Sequence, residues 1–152
     1  DNDYVSSRIQ GLAKRKVDLL LDSNDSLRDN ILERFTDSDC ILIDEAQFLT
    51  KNQVDEASAI SCALDIPVIC YGIRTDFQTH AFEGSLRLWE VADYIEEAKT
   101  LCECGEKAIF NARFVDGAFQ IDGEQLCIDN QVRVRYKSMC PRCYYAKMRQ
   151  NR

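Results

Sequence analysis

Asp44 and Glu45 stand side by side at the exit of an apolar run, in the stretch CILIDEAQFL at residues 40–49. Adjacent carboxylates at such a place admit three readings. The acids can hold the Mg2+ of a nucleoside triphosphate through water. Glu45 can act as a general base, taking a proton from a hydroxyl that attacks a phosphate. Or both are solvated acids at a strand end with no chemistry. Farther along, YGIRTDFQTHAF sets Phe77 and Phe82 among polar residues. That mixture suits a flat aromatic ligand, and it equally suits rings that plug a gap beneath a neighbouring module. His80, the sole histidine, reads as an exposed loop residue.

A second chemical cluster is made of thiols. Of eight cysteines, four form two tight pairs, Cys102/Cys104 and Cys140/Cys143, with the turn residues Gly105 and Pro141 beside them. Two close pairs brought together by a hairpin supply the four soft ligands that tetrahedral Zn2+ requires, at about 2.3 Å each. Four thiolates leave no open coordination position, so this metal would fold a small module rather than react. The alternative is four ordinary core thiols. Cys40, Cys62 and Cys70 lie in or beside apolar segments and read as small core residues. Unpaired thiols beside clustered ones, with no secretory pattern, suit a reducing cytoplasm.

The elements that must position these groups follow from periodicity. Residues 1–16 are polar and partly basic and read as a mobile loop. VDLLL at 17–21 reads as a short strand. SNDSLRDNILERF carries cap candidates Ser23 or Asp25 and a helical stripe of Leu27, Ile31, Leu32 and Phe35. Thr50 caps a helix whose inward stripe is Val54, Ala57, Ile60, Ser61 and Leu64. Pro67 ends it, and VICYGI from Val68 is a second buried strand. Strands apolar on both faces, alternating with helices, predict a parallel sheet covered by helices, with ligands bound beyond the strands' carboxyl ends. SLRLWEVADYIEEA predicts a further helix. From Cys102 the character changes: KAIFNARF, AFQID, QLCID and VRVRYKSM alternate as hairpin strands, with Gly117 and Gly123 in turns.

The whole chain bounds the function. Its 152 residues suffice for one ordinary domain with a small appendage, and 45% hydrophobic with 30% charged residues describes a globular protein with a real core. No apolar run approaches bilayer length, which predicts no membrane partner. The net charge of −7 argues against duplex nucleic acid as the main partner, while leaving room for a nucleotide. The chain opens on Asp1 and reads as beginning within a fold.

Four ordered motifs, LIDEAQFL, VICYGIRTDFQTHAFEGS, TLCECGEKA and RYKSMCPRCY, resemble the cellular-type (type II) thymidine kinases over nearly the whole chain, from YVSSRI onward. The resemblance implies an α/β fold: a RecA-like, P-loop-type parallel-sheet domain over residues 1–100, followed by a small zinc-ribbon lasso domain over 101–152. It implies transfer of the γ-phosphoryl of ATP, with Mg2+, to the 5′-hydroxyl of thymidine. It further implies a homotetramer and feedback by thymidine triphosphate. Carried over, Glu45 matches the general base, and Asp44, Ala46 and Gln47 match the ATP-contacting strand end. Phe48, Ile73, Phe77 and Phe82 match the wall around the thymine ring. Asn111 falls where the family often has Thr, Tyr136 matches a residue that closes the lasso over the nucleoside, and both stand with Ile128 as substrate contacts, while Cys102, Cys104, Cys140 and Cys143 match the zinc ligands.

Three departures stand beside the resemblance. No G-x-x-x-x-G-K-[ST] is present, and the family places that loop upstream of residue 1. DNDY matches the family's D-x-R-[YF] loosely, with Asp1 as the Mg2+-associated acid and Asp3 where Arg is expected. CIDNQVRVRY carries Asp129-Asn130 where relatives have a Gly-Gly turn. Two other functions remain open on the sequence: a non-catalytic module that binds a pyrimidine nucleoside or nucleotide, and a zinc-ribbon protein that contacts a partner.

Overall fold

The computed structural model describes residues 4–5, 15–125 and 133–150, the first two by backbone only. Asp1 and Ile128, together with Cys127 and the Asp129-Asn130 turn, lie outside the described residues. Of the amino-terminal segment read as a loop, two short pieces pair: β1 (Tyr4–Val5) runs antiparallel to β2 (Arg15–Lys16). The run 17–21 makes no strand. Leu19 and Leu21 pack on the core and Leu20 is half exposed, but no neighbouring strand among the described residues supplies a ladder.

The larger body is helix, strand, helix, strand. Helix α1 (Leu27–Arg34) starts one residue later than a cap at Asp25 and three later than one at Ser23 would place it, because Ser26 is the cap: its side chain accepts from the Asp29 N–H. Strand β3 (Ile41–Ile43) leads through a 3-10 turn (Ala46–Phe48) to α2 (Lys51–Leu64), and β4 (Val68–Cys70) then lies parallel to β3 with Ile41 opposite Val68. Thr50 caps α2 with a full capping box: its hydroxyl accepts from the Gln53 N–H at 3.2 Å, and Gln53 Oε1 accepts from the Thr50 N–H at 3.0 Å. Gln53, buried, also donates to the carbonyls of Asp22 and Asp25 at 2.7 and 2.9 Å, tying the start of α2 to the entry of α1.

Both helices cover the same face of the strand pair. Leu27 and Ile31 of α1 and Ala57 and Ile60 of α2 pack on Ile41, Ile43 and Val68. The opposite face carries Leu42 and Ile69, which are 62% and 42% exposed. The pairing is therefore parallel as predicted, while burial on both faces is not observed among the described residues. Helix α3 (Glu83–Val91) ends before residue 92, shorter than SLRLWEVADYIEEA predicts: Ala92 leaves helical geometry with ψ 132°. Trp89, Tyr94 and Ile95 beyond or on its outer face are exposed, so no packing extends it.

The second body is antiparallel. β5 (Thr100–Leu101) pairs with β6 (Lys107–Ala108), and β7 (Phe110–Val115) lies between β8 (Ala118–Phe119) and β9 (Val134–Met139). Gly117 turns β7 into β8 at φ 85°, a conformation that suits glycine. AFQID thus contributes only two strand residues, and QLCID falls almost wholly outside the described part. A helix the periodicity did not predict, α4 (Pro141–Gln150), follows β9 and seats Tyr144 on Phe110 and Phe119. Among the described residues no helix is long and apolar enough to cross a membrane.

Candidate active site and metal centre

Asp44 and Glu45 leave the carboxyl end of β3, and the turn that follows is held from below. The Ala46 N–H donates to the Tyr71 carbonyl at 2.8 Å, so the turn leans on the chain leaving β4. Ala46 and Gln47 are buried, while Asp44 and Glu45 are exposed. Glu45 has positive φ, 52°, the left-handed region that costs a residue with a side chain about 1 kcal/mol or more. Its carboxylate is not left to swing. Gln47 Oε1 accepts from the Ile73 N–H at 3.2 Å, which turns the amide nitrogen toward Glu45, and that nitrogen donates to Glu45 Oε2. Gly72 makes the approach possible: a Cβ there would stand 2.7 Å from Gln47 Oε1.

The aromatic residues divide into two settings. Phe48 and Phe82 meet edge to face with centroids 5.5 Å apart, and Phe48 remains 48% exposed. Ile73, 41% exposed, is fixed through its carbonyl by Ser85 Oγ at 2.7 Å as well as through its N–H by Gln47. Glu45, Gln47, Phe48, Ile73 and Phe82 thus form one tied group at the carboxyl ends of β3 and β4. Helix α3 closes on it because Gly84 has no Cβ: one would meet the carbonyl oxygens of Leu49, Ala46 and Gln47 at 2.6, 2.7 and 3.0 Å. Phe77 is elsewhere. It is 1% exposed, with the Arg113 guanidinium 3.5 Å from its ring centroid, so it fills the space beneath the antiparallel body. Asn111 and Tyr136 sit on the central and outer strands β7 and β9, opposite Ser138 and Arg113 respectively, and share one face of the sheet. Among the described residues no hydrogen bond or ring contact joins them to the Phe48–Phe82 group.

The four paired cysteines converge. One sulfur from each of Cys102, Cys104, Cys140 and Cys143 lies within 4.8 Å of all the others, and Cys104 and Cys140 are 3.6 Å apart. A tetrahedron with ligand bonds of about 2.3 Å has edges of roughly 3.8 Å, so four thiols fit a single Zn2+-sized ion. The backbone prepares them. N–H groups of Cys104 and Cys140 pull the Cys102 thiol down to about 6, while Cys143, facing the sulfurs of Cys104, Cys140 and Cys102, is pushed up to about 12. The amides thus favour the thiolate form of Cys102, and thiol protons leave as a cation arrives. Of the other described thiols, Cys40 and Cys62 are exposed, against their reading as core residues, while Cys70 packs against Ala46, Leu49 and Val54 as that reading has it. Cys70 is half-buried, and burial raises it to about 11.

Periodicity missed three residues of this region. Arg113 and Asp76 are buried at 4% and 5% exposure, and Tyr144 at 2%. An arginine flanked by apolar strand residues in FNARFV was the available signal for the first. Tyr144, directly after Cys143 behind a Pro at the first helical position, was the signal for α4.

Comparison with known proteins bears on all of this. A family model described as thymidine kinase matches residues 1–144. A thymidine kinase of Chromobacterium violaceum is 38% identical over 138 residues, covering 89% of this chain and 74% of that protein. One from Mannheimia succiniciproducens is 54% identical over 102 residues, covering 66% of this chain and 51% of that protein. One from Mesorhizobium japonicum is 40% identical over 151 residues, covering 97% and 71%. The chain spans about half to three quarters of the length of the curated relatives it matches.

Proposed function

This chain belongs to the thymidine kinase family, and on that premise we propose that its protein phosphorylates thymidine at the expense of ATP. Glu45 takes the proton from the 5′-hydroxyl as that oxygen forms its bond to the γ-phosphorus; the bond from the γ-phosphorus to the bridging oxygen breaks and ADP leaves. Gln47 holds the carboxylate of Glu45 in place through Ile73. Asp44, Ala46 and Gln47 stand on the ATP side, with Mg2+ supplying charge neutralisation at the phosphates and Asp1 as a further acid for it. Phe48, Ile73 and Phe82 wall the thymine, with Phe77 buried away from it beneath the antiparallel body, and Asn111, Ile128 and Tyr136 close the lasso over it.

In this reading residues 1–100 are the RecA-like kinase domain and 101–152 the lasso domain, folded around Zn2+ on Cys102, Cys104, Cys140 and Cys143. The protein is a cytoplasmic homotetramer restrained by thymidine triphosphate. The observation that carries the reading is the Glu45–Gln47–Ile73 tie at the end of a parallel strand, beside the half-open Phe48–Phe82 pair. It holds a carboxylate where it could take the proton of a hydroxyl bound against the aromatic wall, and a kinase is favoured over a binding module by the thymidine kinases this chain is similar to.

The test is Glu45→Gln in the full-length protein. Turnover is expected to fall by about 10²–10⁴, with the dissociation constant for thymidine changed no more than about threefold, since a base acts at the transition state. Turnover within a factor of two of the parent sinks the role given to Glu45.

A further inference from the structure

The loop from Ile73 to Phe82 leaves β4 and returns to α3, with Thr75 and Ala81 bridged at its base. Its tip is held by the antiparallel body. Tyr144 Oη donates to the Phe77 carbonyl at 2.5 Å, and the Arg113 guanidinium lies over the Phe77 ring. On either side, Gln78 Nε2 donates to the Ile121 carbonyl at 3.2 Å, and Gln125 Nε2 donates to Asp76 Oδ2 at 3.2 Å. Asp76 Oδ1 accepts from the N–H groups of Gln78 and His80, both at 2.9 Å, which shapes the tip from within.

Arg113 is an uneconomical way to fill space. It is 4% exposed, has no carboxylate within 4.0 Å among the described residues, and its Nε lacks a hydrogen-bond partner among them. Nη1 and Nη2 donate to the carbonyls of Glu124 and Asp122 at 2.6 and 3.2 Å. A buried cation without a counter-charge is costly, and a leucine or methionine would fill the site at less cost. What an apolar side chain lacks is a flat cation that stacks on a ring while forking to two carbonyls. The loop after β8 makes room for it: at Gly123, φ 122°, a Cβ would stand 2.6 Å from Arg113 Nη2. Tyr144 is the neighbour of Cys143, so the other anchor is seated by the cysteine cluster.

We propose that Arg113 and Tyr144 are positioning residues for nucleoside binding. By gripping the tip of the 73–82 loop they set Ile73 and Phe82, at its two ends, in their receiving positions before a ligand arrives. The antiparallel body thereby sets affinity for the nucleoside without touching the reacting atoms. An ungripped loop would have to be ordered at the moment of binding, and that cost appears as weaker binding, not slower chemistry. This inference rests on the thymidine reading above.

Tyr144→Phe and Arg113→Lys in the full-length protein test it, with thymidine affinity by calorimetry, kcat and KM for both substrates, and zinc per subunit. Both changes keep size and, for Lys, charge, so folding is preserved; Arg113→Met is the stronger variant. Each conservative change is expected to weaken thymidine binding roughly 5–20-fold, the loss of one hydrogen bond to a neutral or charged group. kcat should stay within about threefold, KM for ATP should hold, and zinc should remain bound. Arg113→Met should weaken binding more than Arg113→Lys. Thymidine affinity within twofold of the parent in both conservative variants overturns the inference, as does an equal loss in kcat and ATP affinity. A parent protein that neither binds nor phosphorylates thymidine defeats the functional reading and this inference together; an active parent with unaltered variants defeats the inference alone.

Discussion

Gln47 does two things with one amide. Its oxygen satisfies the N–H of Ile73 and its nitrogen holds the carboxylate of Glu45. Replacement by Leu therefore removes the side-chain partner of the half-buried Ile73 N–H, at about 0.5–1.5 kcal/mol, and frees Glu45 to rotate. The expected result is a lower unfolding midpoint in urea together with a fall in kcat; a variant of parental stability and parental kcat would show the amide to be idle. The neighbouring acids were legible in the sequence because they interrupt an apolar run. The role of Gln47 was not, since nothing in the order of residues says that a side chain two places on turns back toward Glu45. Arg113 was hidden for a related reason. Alternation marks which strand residues face inward, but not that one of them is a cation stacked on a ring more than thirty positions away.

At the scale of elements, contacts at close quarters decide the architecture. Gln53 links the start of α2 to two carbonyls before α1 while completing its own capping box. Gln53→Leu should cost about 2–4 kcal/mol, the cap and two stranded carbonyls together, measured by chemical denaturation. Gly84→Ala should also be destabilising, by about 1–3 kcal/mol, because the three carbonyls it would meet belong to the turn that carries Phe48. Both helices before β4 were readable from their 3.6-residue stripes, and Thr50 as a cap from its place before the stripe. VDLLL misled because composition makes a strand permissible while only a partner makes it a ladder. The last part of SLRLWEVADYIEEA misled because its apolar residues had helical spacing with nothing to pack against. Helix α4 escaped notice because its core contact is essentially one residue, Tyr144.

At the scale of the whole molecule, the four-cysteine cluster and the loops after the parallel strands are joined in one line of contacts, from the cysteines through α4 to Phe77. Cys140→Ser should abolish stoichiometric zinc and lower the melting temperature, measured by metal analysis and calorimetry; full retention of zinc would remove Cys140 from the ligand set. Acidity should act in the same direction. The Cys102 thiol is held below its ordinary value by the N–H groups of Cys104 and Cys140. The contribution of its thiolate is therefore complete above the ordinary thiol range and fades as pH falls through about 6. Protein stripped with a chelator should take up zinc readily at pH 7.5 and poorly at pH 5, followed by a zinc-sensitive dye. A total stability of about 5–15 kcal/mol must also carry the left-handed backbone of Glu45, φ 52°. Glycine at that position would relieve about 1 kcal/mol. A mutant library selected by heat alone should accordingly enrich Glu45→Gly and return survivors that are hardier and, if Glu45 is the base proposed above, inert. On the proposed role of Glu45, its strained backbone is a cost in endurance that the proton transfer would require.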